Sequence, residues 1–130
     1  MARMYADENG LNDLSRQVIG CAFTVLNTLG VGFVEKVYEN AMTIELRKNG
    51  LAVEQQHDLT VLYNGIVVGE YVADLMIEQA PLVELKAVKA LDHTHHAQCI
   101  NYLRASGLRL GLLLNFGTPR LEIRRIANGL

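Results

Sequence analysis

The sequence predicts an α/β fold of the α+β kind, built as a single mixed β-sheet flanked by helices. Two observations predict it. First, the hydrophobic periodicity is helical up to Gly50. Second, after Gly50 the apolar residues alternate and are rich in β-branched types, and one further helical segment lies before the last two strands. A mixed sheet with helices packed against it buries the apolar face of every element in this order.

Length and composition are typical of one globular domain. The 130 residues are 50% hydrophobic and 20% charged, unlike a disordered chain. We expect a single domain over residues 1–130, with a core at about 12–127 and an N-terminal tail at 1–11. No apolar run approaches the roughly 18 residues that span a bilayer, and no secretory signal is visible. A cytoplasmic protein without a membrane partner is the expectation.

Two helices are predicted before Gly50 and one after it. Apolar residues recur at helical spacing from Leu14 to Leu29 and from Val34 to Lys48. Glycines follow both segments, as is common at helix ends. The third helix is predicted to start after a cap at Asp92 or Thr94 and to run to about Ala105.

The strands are predicted around a hairpin. In "LTVLYNGIVVGEYVADLMI" the Asn64–Gly65 dipeptide separates two strand-like runs and is a strong hairpin signal. A short strand at Val53–His57 is expected before it, and Leu82–Val88 follows Pro81. The runs "LRLGLLLNFG" and "RLEIRRIA" predict the last two strands.

Three charged side chains interrupt the apolar stretch from Val72 to Val88. Glu84 and Lys86 are two positions apart and so lie on one face of their strand. If the preceding hairpin strand pairs beside them, Asp74 falls next to Glu84. Adjacent carboxylates repel each other unless a positive charge joins them. A structural ion-pair network and a functional cleft both satisfy this pattern.

A divalent cation is the natural partner for two carboxylates at a cleft. Mg²⁺ prefers oxygen ligands and is typically held by one or two protein carboxylates together with a substrate phosphate. Lys86 beside it could orient or deprotonate a water, or stabilise charge on the phosphate in the transition state. Asp74, Glu84 and Lys86 together suit the hydrolysis of phosphodiester bonds.

The stretch "DLMIEQAPLVELK" resembles the PD-(D/E)XK nuclease superfamily, in which Asp74, Glu84 and Lys86 take the motif positions. Ala73 stands where the motif has proline. The resemblance implies a restriction-endonuclease-like core, Mg²⁺ as cofactor with Mn²⁺ as a substitute, and a ligand from the backbone carbonyl of Leu85.

A second resemblance covers about residues 14 to 127. "GVGFVEKVYENAM" carries Gly32, Glu35 and Tyr38 at the spacing of the GxxExxY family, and "VELKAV", "HHAQCINYLRASG" and "LGLLLNFG" are similar to its later blocks. The resemblance implies that Glu35 is a third acidic ligand; a favourable charge at a helix N-terminus is the alternative. Tyr38 either hydrogen-bonds to the site or packs.

Residues of the third helix complete the candidate site. Gln98 and Tyr102 are four apart and share a helix face. They resemble an element that supports the site or contacts the nucleic-acid backbone in some superfamily members; a buried pair bonded to each other is the alternative. His95 is expected to line the cleft, where it could contact phosphate.

The interpretation is a Mg²⁺-dependent nuclease that acts on DNA or RNA, with Glu35, Asp74, Glu84 and Lys86 as catalytic residues. Residues 81–130 carry 7 basic and 3 acidic side chains, against 5 and 11 in residues 1–80, so nucleic acid is the expected partner of the basic part. A small domain has one site, and cutting two strands favours a homodimer or higher homo-oligomer. The alternative is a non-catalytic nuclease-fold module that binds nucleic acid or forms an oligomeric scaffold.

Overall fold

The computed structural model describes residues 8–129. Three helices and five strands occur there, in an order that agrees with the sequence pattern. They are α1 (Glu8–Leu29), α2 (Glu35–Lys48), β1 (Val53–Tyr63), β2 (Ile66–Ile77), β3 (Pro81–Lys86), α3 (His93–Ser106), β4 (Leu110–Asn115) and β5 (Glu122–Ala127). Within these residues no helix has the length and apolar character needed to cross a membrane.

The strands form one mixed sheet in the order β1-β2-β3-β4-β5. Strands β3 and β4 are parallel, and every other neighbouring pair is antiparallel. Because two parallel neighbours need a crossover connection, α3 lies between them in sequence and packs on the sheet. The predicted mixed sheet flanked by helices is confirmed.

Alternate residues of the central strands pack on opposite sides. Val83 and Leu85 of β3 belong to a buried cluster with α1 and α2, whereas Leu82 belongs to a second cluster with α3. The period of two therefore directs Glu84 and Lys86 away from the cluster of α1 and α2 and toward the side of α3, as expected from the sequence.

Three boundaries differ from the sequence-based expectation. Helix α1 begins at Glu8, so residues 8–11 of the expected tail are helical, and Leu11 is buried against the core. Residues 1–7 of that tail lie outside the described part of the chain. The separate strand expected at Val53–His57 continues into the hairpin as the single strand β1, and β3 ends at Lys86, two residues before the expected Val88.

Asn115 fixes the chain segment that follows Lys86. It is completely buried at the end of β4, where its Oδ1 accepts hydrogen bonds from the backbone N–H groups of Val88 and Gly117, both at 3.0 Å. Its Nδ2 donates to the carbonyl of Val88 at 2.9 Å and to Oε1 of Glu122 at 2.7 Å. The exit of β3 is thereby held against β4.

Gly117 permits this close approach, because a Cβ at that position would lie 2.1 Å from the carbonyl oxygen of Val88. We expect Gly117→Ala to lower the free energy of unfolding by about 2 kcal/mol or more, since backbone must move to relieve the overlap.

Gly20→Ala is the matched control. Gly20 is exposed within α1 with no neighbour within 4 Å of the added atom, so this change is expected to raise stability by roughly 0.5–1 kcal/mol. Urea denaturation measures both, and equal stability of the two variants would contradict this account of residues 115–117.

Candidate active site

Asp74 and Glu84 meet where β2 separates from β3. The two strands pair at Leu75–Val83 and Met76–Leu82, and one further step in the same register places Asp74 opposite Glu84. There the side chains bond to the neighbouring backbone. Oε1 of Glu84 accepts from the N–H of Asp74 at 3.0 Å, and Oδ2 of Asp74 accepts from the N–H of Leu85 at 2.8 Å. We call these two residues the carboxylate pair.

The other edge of β2 is also irregular at Asp74. The register between β1 and β2 includes Gln55–Leu75 and His57–Ala73 but passes over Gln56 and Asp74. Gln56 has a φ of 57°, a left-handed conformation that costs a residue other than glycine on the order of 1 kcal/mol. The regular pairing of the strands is therefore interrupted on both sides of Asp74, and Asp74 has no regular partner residue in either neighbouring strand.

Burial and mutual repulsion make the carboxylate pair poor at holding two negative charges. Glu84 is 5% exposed; burial, followed by the charge of Asp74, raises its pKa to about 8. Burial is also the main cause that raises the pKa of Asp74, although the hydrogen bond from Leu85 opposes the shift. Such a pair binds a proton or a cation readily near neutral pH.

Lys86 provides the positive charge nearest to this pair along the chain. Its charge lowers the pKa of both Asp74 and Glu84, which shows that the ammonium group is within electrostatic reach of both. The side chain is half-buried. Among residues 8–129, no carboxylate lies within 4.0 Å of its Nζ to form an ion pair. The amine is therefore close to the carboxylate pair without being bound to it.

Glu35 stays apart from the carboxylate pair. It is the exposed first residue of α2, and its charge raises the pKa of Asp74 and Glu84. Nowhere in residues 8–129 do three or more His, Cys, Asp or Glu side chains lie together so that they could hold a metal ion. The structure thus joins two of the three acidic residues expected to converge, since three carboxylates in contact repel one another when no cation lies between them.

Glu39 is a buried carboxylate near the site that the sequence analysis missed. It is 4% exposed and accepts hydrogen bonds from Lys36 Nζ at 2.9 Å, Gln55 Nε2 at 2.6 Å and Gln56 Nε2 at 2.8 Å. Its charge also raises the pKa of Asp74. Its position four residues after Glu35, on the same face of α2, is the signal that could have identified it.

The side of α3 that faces the sheet lies over the carboxylate pair. Burial, followed by the charge of Glu84, raises the pKa of Cys99 to about 12. The pKa of Tyr102 is also raised, mainly by burial and then by the charges of Glu84 and Asp74. Gln98 Nε2 donates to the hydroxyl of Tyr102 at 3.1 Å. Gln98 and Tyr102 therefore bond to each other, although Gln98 is exposed and the two are not the fully buried pair considered as an alternative, and the phenol lies close to both carboxylates.

His95 and Tyr38 have structural partners. Nδ1 of His95 accepts from the N–H of Asp92 at 3.1 Å, as part of the capping box that begins α3. Tyr38 is fully buried; its hydroxyl donates to the carbonyl of Gly30 at 2.6 Å, and its ring stacks on Phe116 with centroids 4.9 Å apart. Of the two roles considered for Tyr38, its surroundings correspond to packing. A fully buried side chain has no exposed surface that a substrate could contact.

The donor set at the carboxylate pair fits a hard cation. Asp74 and Glu84 supply carboxylate oxygens, and the backbone of Leu85 lies between Glu84 and Lys86 on the same strand. Mg²⁺ needs only one or two carboxylates, because it keeps several waters and takes substrate oxygens as further ligands. The pair is therefore sufficient for Mg²⁺ without a third acidic residue in contact.

Comparisons with known proteins bear on the fold and on the family of this chain. Among solved structures, the one titled "Crystal structure of SSO0001" is similar to this chain with a TM-score of 0.57 at 20% identity, which shows the fold; the match covers 73% of this chain and 50% of that chain. The present chain thus corresponds to about half the length of that protein. No curated protein matches. A family model described as the PD-(D/E)XK nuclease superfamily matches residues 12–126, and the chain therefore belongs to the PD-(D/E)XK nuclease superfamily.

Proposed function

We propose that this protein is a Mg²⁺-dependent nuclease that hydrolyses phosphodiester bonds in DNA or RNA. The observation that carries the proposal is the carboxylate pair, in which hydrogen bonds between β2 and β3 hold Asp74 and Glu84 side by side, with the amine of Lys86 within electrostatic reach. The superfamily supports a nuclease-like function. Within it we place the chain in the GxxExxY family, on the spacing of Gly32, Glu35 and Tyr38.

Asp74, Glu84 and the carbonyl of Leu85 are the proposed metal ligands, with Glu35 as an additional acidic residue whose charge reaches the pair. Nucleases of this superfamily usually use divalent metals, and Mn²⁺ is expected to replace Mg²⁺. When bound, such a cation supplies a Lewis acid at the phosphate and lowers the pKa of a coordinated water. The protein's own contribution is to hold two oxygen donors in fixed positions through the bonds to the N–H groups of Asp74 and Leu85.

Lys86 is the proposed group that acts on the nucleophile. Its ammonium can orient an attacking water or stabilise the negative charge that develops on the phosphate, and its neutral amine can accept a proton from that water. These roles require an amine that is not held in a close ion pair. Within residues 8–129, Lys86 forms no such ion pair. Gln98, Tyr102 and His95 on α3 are proposed substrate-binding residues at the edge of the same site; the buried Tyr38 positions the loop before Glu35.

Cleavage assays with Lys86→Ala test the catalytic proposal. We expect wild-type protein to cleave labelled single- or double-stranded DNA or RNA with Mg²⁺ or Mn²⁺ and not with EDTA. Loss of a positioned acid–base or charge-stabilising group is expected to lower the rate by roughly 10²–10⁴-fold while nucleic-acid binding persists. Lys48→Ala, at the exposed end of α2, is the matched control and is expected to leave cleavage unchanged. Intact substrates under all these conditions, with binding indifferent to metal, would favour the non-catalytic module.

The raised pKa of Glu84 generates a linked prediction for stability without metal. The folded chain holds the Glu84 proton to about pH 8, whereas the ordinary pKa is 4.5. The protonated form therefore contributes stability that is complete below pH 4.5 and is lost as the pH rises through 8. We expect most of the decrease in unfolding free energy between pH 5 and 8.5 to disappear in Glu84→Gln, as measured by urea denaturation in EDTA. Glu70→Gln, an exposed position on β2, should keep the wild-type slope.

Metal binding should restore the unfolding free energy that is lost as the pH rises. Because a cation competes with the proton for the carboxylate pair, Mg²⁺ affinity should rise with pH and binding should release a proton. Calorimetry in two buffers of different ionisation enthalpy measures the released proton. A Mg²⁺ affinity that is independent of pH between 6 and 9 would argue against Asp74 and Glu84 as the ligands.

A homodimer is the proposed assembly, and the hairpin of β1 and β2 is the proposed contact. Large apolar side chains are exposed near its tip, and Val67 and Val72 are the proposed contact residues. Because the register between β1 and β2 shifts between Val61 and Leu62, Val67 and Val72 lie on the same face of the hairpin. Exposed apolar side chains that lie together are typical of an interaction surface. A second copy also supplies the second site that cutting both strands requires.

Charge introduced on the hairpin tests the assembly. Val72 is adjacent to Tyr71, whose ring faces α3, so Val72 points to the opposite, uncovered face. We expect Val67→Lys combined with Val72→Lys to convert a dimer to a monomer in size-exclusion chromatography with light scattering. Ile44→Lys, which alters an exposed apolar residue of α2, should not. A wild-type protein that is monomeric at high concentration would refute the dimer.

A further inference from the structure

A groove opens between α3 and the hairpin of β1 and β2. Its volume is about 450 Å³, and its lining includes Thr60, Leu62, Tyr71, Asn101 and Arg104. None of these residues belongs to the candidate active site described above. The groove has one wall from the sheet and one from the helix, so that both polar and apolar side chains border it.

The groove lies next to the carboxylate pair. The ring of Tyr71 is 5.5 Å from the ring of Tyr102, measured between centroids, and the pKa of Tyr102 responds to Glu84 and Asp74. Along β2, Tyr71 precedes Asp74 by three residues, a separation of about 10 Å. A polynucleotide whose phosphate lay at the carboxylate pair would therefore have a neighbouring nucleotide within reach of the groove.

The chemistry of the lining suits an unpaired nucleotide. Tyr71 is 49% exposed although it is a large aromatic residue, and an aromatic face is a surface on which any base can stack. Arg104 is exposed, and no hydrogen bond or ion pair joins its guanidinium to another residue in the range 8–129. Asn101 adds an exposed amide. Tyr71 can stack on the face of a base, Arg104 can bind a phosphate, and Asn101 can form hydrogen bonds with the edge of a base.

A duplex does not present these features together. Its bases are stacked on one another and paired along their edges, so a side chain can reach a base face only where the strand is unpaired. A volume of this size accommodates one nucleotide and not a helix of two strands.

We propose that this groove binds the base of an unpaired nucleotide adjacent to the phosphate at the carboxylate pair. Tyr71 stacks on the base, and Arg104 contacts the backbone phosphate. The substrate is then single-stranded, or a duplex with an unpaired end. The position of the phosphate rests on the proposed nuclease function, whereas the binding of an unpaired base in the groove can be measured independently of cleavage.

Fluorescence anisotropy with a 20-nucleotide single strand tests this inference, in EDTA and again with Ca²⁺, using DNA and RNA. We expect Tyr71→Ala to weaken binding roughly 5- to 100-fold, the range for loss of one stacked base. Tyr71→Phe keeps the ring and should bind as the wild type does. Tyr63→Ala is the matched control, because Tyr63 is exposed on the same hairpin outside the groove lining. Arg104→Ala should weaken binding and reduce the slope of log K against log salt by about 1.

Single strands with abasic positions identify the base as the recognised group. Wild-type protein should lose the same factor in affinity on the abasic strand as Tyr71→Ala loses on the normal strand, and Tyr71→Ala should not distinguish the two strands. Equal affinity of Tyr71→Ala and Tyr63→Ala for the normal strand would overturn the inference, as would equal affinity of the wild type for both strands. Cleavage that does not depend on Tyr71 would support the proposed nuclease function and refute base binding in the groove. Tyr71-dependent binding without cleavage would support the groove and refute the nuclease.

Discussion

The structure depends on two hydrogen bonds between β2 and β3, one from the N–H of Asp74 to the Glu84 carboxylate and one from the N–H of Leu85 to the Asp74 carboxylate. Each carboxylate occupies the place where the other strand would have continued its backbone ladder, so the sheet separates at this point without leaving the two N–H groups unsatisfied. The same two bonds bring two acidic groups out of water and next to each other. Structural continuity and the proposed cation site therefore arise from one arrangement.

Two buried polar residues support this arrangement from opposite ends. Glu39 binds both amides of Gln55 and Gln56 and so ties α2 to the irregular part of β1. Asn115 holds the chain beyond Lys86 through four hydrogen bonds to Val88, Gly117 and Glu122. Because these bonds are partly buried, the strands that carry the carboxylate pair and Lys86 are restrained on both sides.

Sequence reasoning could predict the sheet and the carboxylate pair because their causes are local. The turn at Asn64–Gly65 sets the hairpin, and the period of two places Glu84 and Lys86 on one face. Glu39 and Asn115 could not be assigned in this way, since the partners that join them to other segments, Gln55 and Gln56 for Glu39 and Val88 for Asn115, lie 16 or more residues away in sequence. The extent of α1 was missed for a related reason: Leu11 is helical because it packs in the core, which polar neighbours and Gly10 obscure.

The hairpin of β1 and β2 is long, yet β2 joins β3 at Leu75–Val83 and Met76–Leu82, directly beside Asp74. One strand, β2, therefore carries both Tyr71 in the wall of the groove and Asp74 in the carboxylate pair. Three residues of extended backbone set the distance between them, so folding of the hairpin alone determines how far the groove lies from the two acidic groups.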